Sequence, residues 1–187
     1  MRVREAGTRS FLEEVAAMPG GEAIRLCIQC GTCTGACPNA DRMDHPPRKI
    51  IAMVRAGLRE EVLSSNSMWF CASCYLCTVR CPRDIKPTAL MHVLENLSAH
   101  HGLITKSTGT PAMYQSFVDS IRRNGRVHEF SMMLRFYLRT NPFASLGMIP
   151  VALALFSRGR IPLMPTRIKG RGQLKAILEK ARALGGA

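Results

Sequence analysis

The chain has 187 residues, a formal net charge of +13 and eight cysteines, with only one tryptophan, three tyrosines and seven phenylalanines. That length allows one domain, or one domain with extensions, and leaves Leu, Ile, Val and Met to fill the core. The longest apolar run, residues 145–156, is shorter than the roughly 20 residues a bilayer span takes and contains Pro150, which excludes a membrane-spanning helix there.

In chain order, the first expected element is a short helix over residues 10–18. Ser10 is its N-cap and Glu13 its capping-box partner, with Leu12, Val15 and Ala16 on one face. Pro19, Gly20 and Gly21 end it. Arg2, Arg4, Glu5 and Arg9 break any apolar signal segment ahead of it, so the chain is expected to be cytoplasmic. A helical turn over 22–26 leads into Cys27, Cys30, Cys33 and Cys37, followed by Pro38. Pro46 and Pro47 open a helix to about Ala56, with Ile50, Ile51, Val54 and Leu58 at helical spacing and Gly57 at its end. A second short helix is expected over 60–63. Trp69 precedes Cys71, Cys74, Cys77 and Cys81, followed by Pro82. Pro87 opens a longer helix with Leu90, Met91, Val93, Leu94 and Leu97 on its apolar stripe.

The remaining chain reads as helices with no metal-binding cluster. Thr110 and Pro111 are the expected N-cap and first residue of a helix that turns Met113, Phe117, Val118 and Ile121 inward and ends at Gly125. Further helices are expected over 132–138, from Asn141 and Pro142, and over 173–184 with Leu174, Ile177 and Leu178 inward. Pro162 and Pro165 mark an extended stretch. Eight basic residues and one acidic residue, Glu179, fall after Ser157, which suits docking to an acidic partner surface. No period-two alternation of strand length appears, so the fold class is mainly α. The expected organisation is a helical cluster-binding module at 1–101 and a basic helical extension for partner docking at 102–187.

All eight cysteines fall into two copies of C-x2-C-x2-C-x3-C-P. This is the ligand spacing of a chain that holds two [4Fe–4S] clusters, the fourth cysteine of each run ligating the other cluster. Cluster one is therefore assigned to Cys27, Cys30, Cys33 and Cys81, and cluster two to Cys71, Cys74, Cys77 and Cys37. Structural zinc uses separated CxxC pairs, and a disulfide framework goes with export, so neither fits as well. Pro38 and Pro82 turn the chain away after the last ligand, and Gly31 suits a close approach of backbone to the cluster. Ser73 is a candidate hydroxyl donor toward sulfur, against a simple turn role. Trp69 is a candidate cover over a cluster, against plain core packing. His45, His92, His100, His101 and His128 show no ligand spacing and read as surface or capping residues.

Four stretches together carry a family resemblance: CIQCGTCTGACP from Cys27, PPRKIIAMVRAG from Pro46, MWFCASCYLCTVRCPRDI from Met68 and RGRIPLMPTRIKG from Arg158. With them the chain resembles the C subunit of heterodisulfide reductase and its relatives. The resemblance implies a helical ferredoxin with two [4Fe–4S] clusters in a hetero-oligomeric oxidoreductase. Its implied role is to relay electrons one at a time between an A subunit that contains flavin and a catalytic, cysteine-rich B subunit. No catalytic residue of its own is expected. Two other readings compete: an iron–sulfur subunit of a membrane-associated, quinone-linked oxidoreductase, with residues 145–156 and the basic tail on the bilayer, and, more remotely, a nucleic-acid-binding iron–sulfur protein.

Overall fold

The computed structural model describes residues 10–104, 108–160 and 164–183. All regular structure among them is helical. The chain divides into two compact units, one ending at Thr108 and one beginning at Gly109. The expected extended stretch falls partly outside the described residues, at 161–163.

The first unit is built around α3 (Pro47–Arg55) and α6 (Pro87–His100). Both start at a proline, whose fixed φ suits the first helical turn and whose missing N–H would have had no partner there. Ile50, Ile51 and Val54 of α3 and Leu90, Met91, Leu94 and Leu97 of α6 are buried in one core with Phe11, Val15, Ile24, Met68 and Trp69. Each such buried aliphatic side chain contributes about 1.5–3 kcal/mol of transfer free energy. Short elements close the core. α1 (Phe11–Ala16) carries the expected capping box, with Ser10 Oγ accepting from the Glu13 amide and Glu13 Oε2 accepting from the Ser10 amide. α4 (Arg59–Leu63) follows α3 through Gly57 and buries Val62 and Leu63.

The chain reverses after α1 through Gly20 and Gly21. A Cβ on Gly21 would lie 1.9 Å from the Val15 carbonyl oxygen, so only glycine lets the backbone pass there. Arg59 of α4 reaches back over the same end. It pairs with Glu14, stands 5.1 Å above the Phe11 ring and donates to His101 Nε2 at 2.9 Å.

The second unit contains α7 (Thr110–Asn124), α8 (Glu129–Arg139), α9 (Ile149–Ser157) and α10 (Arg171–Ala183). α7 and α8 form a hairpin. Its contact face reverses the sequence expectation: Pro111, Ser116, Ser120 and Asn124 are buried, while Phe117 and Val118 are exposed and Met113 and Ile121 are only half-buried. Thr110 is the first residue of α7, not its cap, which is Gly109. Small polar side chains let the helices approach and bond directly. Arg139 donates to Ser116 Oγ at 3.1 Å and to Asp119 Oδ2 at 2.6 Å, and Ser120 Oγ accepts from the His128 amide at 2.9 Å. His128 is the N-cap of α8, as the capping reading expected. On α10, Leu174 and Leu178 are partly covered, but Ile177 is exposed.

Candidate metal centre

The two cysteine runs fold alike. Each begins on a 3-10 turn, Glu22–Leu26 before Cys27 and Met68–Phe70 before Cys71. Each then places the residue before its second cysteine in the left-handed region, Gln29 at φ 58° and Ser73 at φ 49°. The residue after the second cysteine does the same, Gly31 at φ 85° and Tyr75 at φ 62°. One turn of helix follows, α2 (Thr32–Gly35) or α5 (Leu76–Val79), and the fourth cysteine's amide bonds to the Thr34 or Thr78 carbonyl. These left-handed residues turn the backbone sharply on both sides of the second cysteine, and successive turns of this kind can cradle an anionic group.

Long helices hold these loops. The Thr34 hydroxyl accepts from the Arg48 amide at 3.0 Å on the first turn of α3. At the matching place in the second run, the Thr78 hydroxyl donates to Thr88 Oγ1 at 3.3 Å on the first turn of α6. The runs are also tied to each other. Asn39 Nδ2 donates to the Phe70 carbonyl at 2.8 Å, and Asp44 and Asn66 exchange two backbone-to-side-chain bonds, both 2.8 Å. The His45 amide donates to Ser67 Oγ at 2.9 Å.

Two cavities result. One is lined by Cys27, Cys30, Cys33 and Cys81. The other is lined by Cys37, Cys71, Cys74 and Cys77. Each takes three sulfurs from one run and the fourth from the other. All eight cysteines are free thiols. Among the described residues no three His, Cys, Asp or Glu side chains converge closely enough for a single metal ion. Sulfurs spread around a cavity fit the corners of a polynuclear cluster better than one ion's coordination sphere.

The thiol chemistry agrees with that fit. Burial pushes the Cys33 thiol up to about 11, and burial likewise raises Cys37 and Cys71. Such thiols ionise at neutral pH only when a cation replaces the proton, as metal ligation does. Cys30 differs: the Thr32 hydroxyl bond lowers it. Three side chains reach ligand sulfurs. Gln29 Nε2 donates to Cys27 Sγ at 3.3 Å, Thr32 Oγ1 lies 3.4 Å from Cys30 Sγ, and Thr88 Oγ1 lies 3.4 Å from Cys77 Sγ. A ligating thiolate carries no proton, so both hydroxyls donate in the loaded site.

Ser73 does not serve the sulfur role. Its hydroxyl lies 3.1 Å from His92 Nε2, and His92 Nδ1 lies 3.2 Å from Glu95 Oε2. The sulfur contacts of Gln29, Thr32 and Thr88 were missed from sequence. Gln29 has only its place between two cysteines as a signal, and Thr88 lies seven residues beyond Cys81 with none. Trp69 is buried in the main core, against which Cys27, Cys33 and Cys71 pack, and it is not among the residues lining either cavity.

Known proteins agree with the site. Residues 23–85 match a 4Fe-4S dicluster domain, so the chain carries [4Fe–4S] clusters. The chain is 38% identical over 112 residues to the iron-sulfur C2 subunit of the CoB–CoM heterodisulfide reductase of Methanocaldococcus jannaschii, a match covering 60% of this chain and 57% of the relative. It is 34% identical over 130 residues to the C subunit of the H(2):CoB-CoM heterodisulfide,ferredoxin reductase of Methanothermobacter thermautotrophicus, covering 68% of this chain and 66% of that one. With the iron-sulfur C subunit of the CoB–CoM heterodisulfide reductase of Methanopyrus kandleri it shares 38% over 111 residues, covering 56% and 58%. The chain thus spans less than two thirds of the length of each of these relatives.

Proposed function

The chain belongs to the heterodisulfide reductase C-subunit family, and from that premise we propose that it is the electron-relay subunit of a heterodisulfide-reductase-like complex. It would hold two [4Fe–4S] clusters, one on Cys27, Cys30, Cys33 and Cys81 and one on Cys71, Cys74, Cys77 and Cys37. The observation that carries the reading is the pair of cavities, each lined by three cysteines of one run and the fourth cysteine of the other. Bound there, the clusters supply one-electron redox chemistry. The chain's own residues bind and orient them, and Gln29, Thr32 and Thr88 steady the ligand sulfurs by hydrogen bonding.

The partners are the flavin-containing and the cysteine-rich catalytic subunits of that complex, with this chain passing electrons singly between them. Residues 109–183 suit subunit docking. Phe143, Leu146, Leu153 and Phe156 are 52–78% exposed, and α9 is apolar on every side. A helix apolar all round is stable when another protein surface covers it. Arg158 and Arg160 directly follow it, so an apolar cleft with an acidic rim is the matching partner surface. No helix among the described residues is long and apolar enough to cross a membrane.

Anaerobic purification from the native source, with iron counting and mass spectrometry of co-purifying chains, tests this. About eight irons per chain, together with a flavoprotein and a second, cysteine-rich protein, is the expected result. A quinone-binding membrane protein in their place would move the chain to the membrane-linked reading. Retained nucleic acid with neither partner would remove the relay assignment.

A further inference from the structure

The two cavities share a ligand pattern but differ in their electrostatics. The cavity lined by Cys27, Cys30, Cys33 and Cys81 also has Arg48 and Arg83 in its wall. The cavity lined by Cys37, Cys71, Cys74 and Cys77 has no charged side chain in its wall, where Met43 and Met91 stand instead. Two side-chain donors reach sulfurs of the first set, Gln29 and Thr32. One reaches the second set, Thr88.

Reduction adds one negative charge to a cluster that already carries the charge of four thiolates. Cations and sulfur hydrogen bonds stabilise the more negative state, while nearby carboxylates and an apolar wall disfavour it. Arginine is always charged near neutral pH, so its effect does not switch off. The arginines and the sulfur donors both favour the reduced state at the first site.

We infer that the two sites are electrostatically graded, so that the cluster on Cys27, Cys30, Cys33 and Cys81 has the higher reduction potential and is the first to be reduced. The inference rests on the two-cluster reading above. Internal transfer then runs downhill from the second site to the first. One electron leaves the reduced cluster at Cys37, Cys71, Cys74 and Cys77, which returns to its oxidised state, and the cluster at the first site gains it. No proton is taken up or released in that step. The chain therefore has a built-in direction, with the arginine-lined site as its electron-accepting end.

The test is an anaerobic redox titration of the full chain followed by electron paramagnetic resonance, with dithionite as reductant. The wild-type chain is expected to show two separable one-electron couples. Arg48→Gln combined with Arg83→Gln should lower the higher couple and leave the lower one in place. Both arginines are exposed, so the double variant keeps the core intact. Thr88→Val should lower the lower couple alone, because it removes the Thr88 hydroxyl from Cys77. If the arginine double variant moves the lower couple, or moves neither while the iron content stays at the wild-type level, the inference is overturned and the two-cluster reading survives. A full chain that takes up no clusters removes that reading and the inference together.

Discussion

Asn39 Nδ2 donates to the backbone carbonyl of Phe70 at 2.8 Å, joining the residue two places after Cys37 to the residue just before Cys71. Cys37 and Cys71 line the same cavity, so this one bond spans the two sequence-distant parts of a single site. Asn39→Ala would leave the half-buried Phe70 carbonyl without that donor and cost about 1–3 kcal/mol. The expected outcome is a lower thermal midpoint for the loaded chain, with faster iron loss to a chelator. Unchanged chelation kinetics would show that the bond does not hold the site.

The crossed ligand sets make a pairing prediction. Cys81→Ala should impair the same cluster as Cys30→Ala, although Cys81 belongs to the other run. Cys37→Ala should likewise match Cys74→Ala. Each variant is expected to retain about four irons and one reduced-cluster signal, with the signals agreeing within a pair and differing between pairs. Signals that grouped by sequence run would rule out the crossed assignment.

Gly31 and Tyr75 occupy equivalent left-handed positions, at φ 85° and φ 62°. A Cβ on Gly31 would meet only Arg48 Cδ at 3.7 Å, so space is available and the cost is conformational. Gly31→Ala should therefore destabilise the chain by about 1–2 kcal/mol. Tyr75→Gly should relieve strain of similar size locally, offset by the greater freedom glycine has in the unfolded chain. Chemical denaturation of both variants should show a clear loss for Gly31→Ala and a near-neutral change for Tyr75→Gly.

The second unit should respond to acid through α7 and α8. Hydrogen bonding to Arg139 holds the Asp119 carboxyl below its ordinary value, with the same arginine's charge adding to it. A carboxylate depressed on folding stabilises above its unfolded pKa, about 3.9, and that contribution is lost as pH falls through the lower folded value. The pair is partly exposed, so its contribution is under about 1 kcal/mol. Asp119→Asn should lower the thermal midpoint of the full chain, followed by circular dichroism, at pH 6 and have little effect at pH 2.5. An equal loss at both pH values would point to packing instead of charge.

The sequence by itself determined the ligand inventory and the helical frame of the first unit. Cysteine spacing is a local property, since three thiolates within seven residues define one turn of backbone whatever surrounds it. Pro47, Pro87 and the Ser10–Glu13 box start helices for equally local reasons, and the structure has them where expected. Only the tertiary structure decided which side chains touch the sulfurs. Thr88 reaches Cys77 because α6 is packed beside α5, and Ser73 turns to His92 because the same helix presents an imidazole there. The arginines at one cavity and the methionines at the other are likewise brought in from separate elements. The misread face of α7 has a related cause. Helical periodicity identifies an apolar stripe, but it assigns that stripe to the core only when the unit buries its own apolar surface. In the second unit, Ser116 and Ser120 turn inward because Arg139 and the His128 amide meet that face with direct hydrogen bonds, and Phe117 and Val118 are left outside.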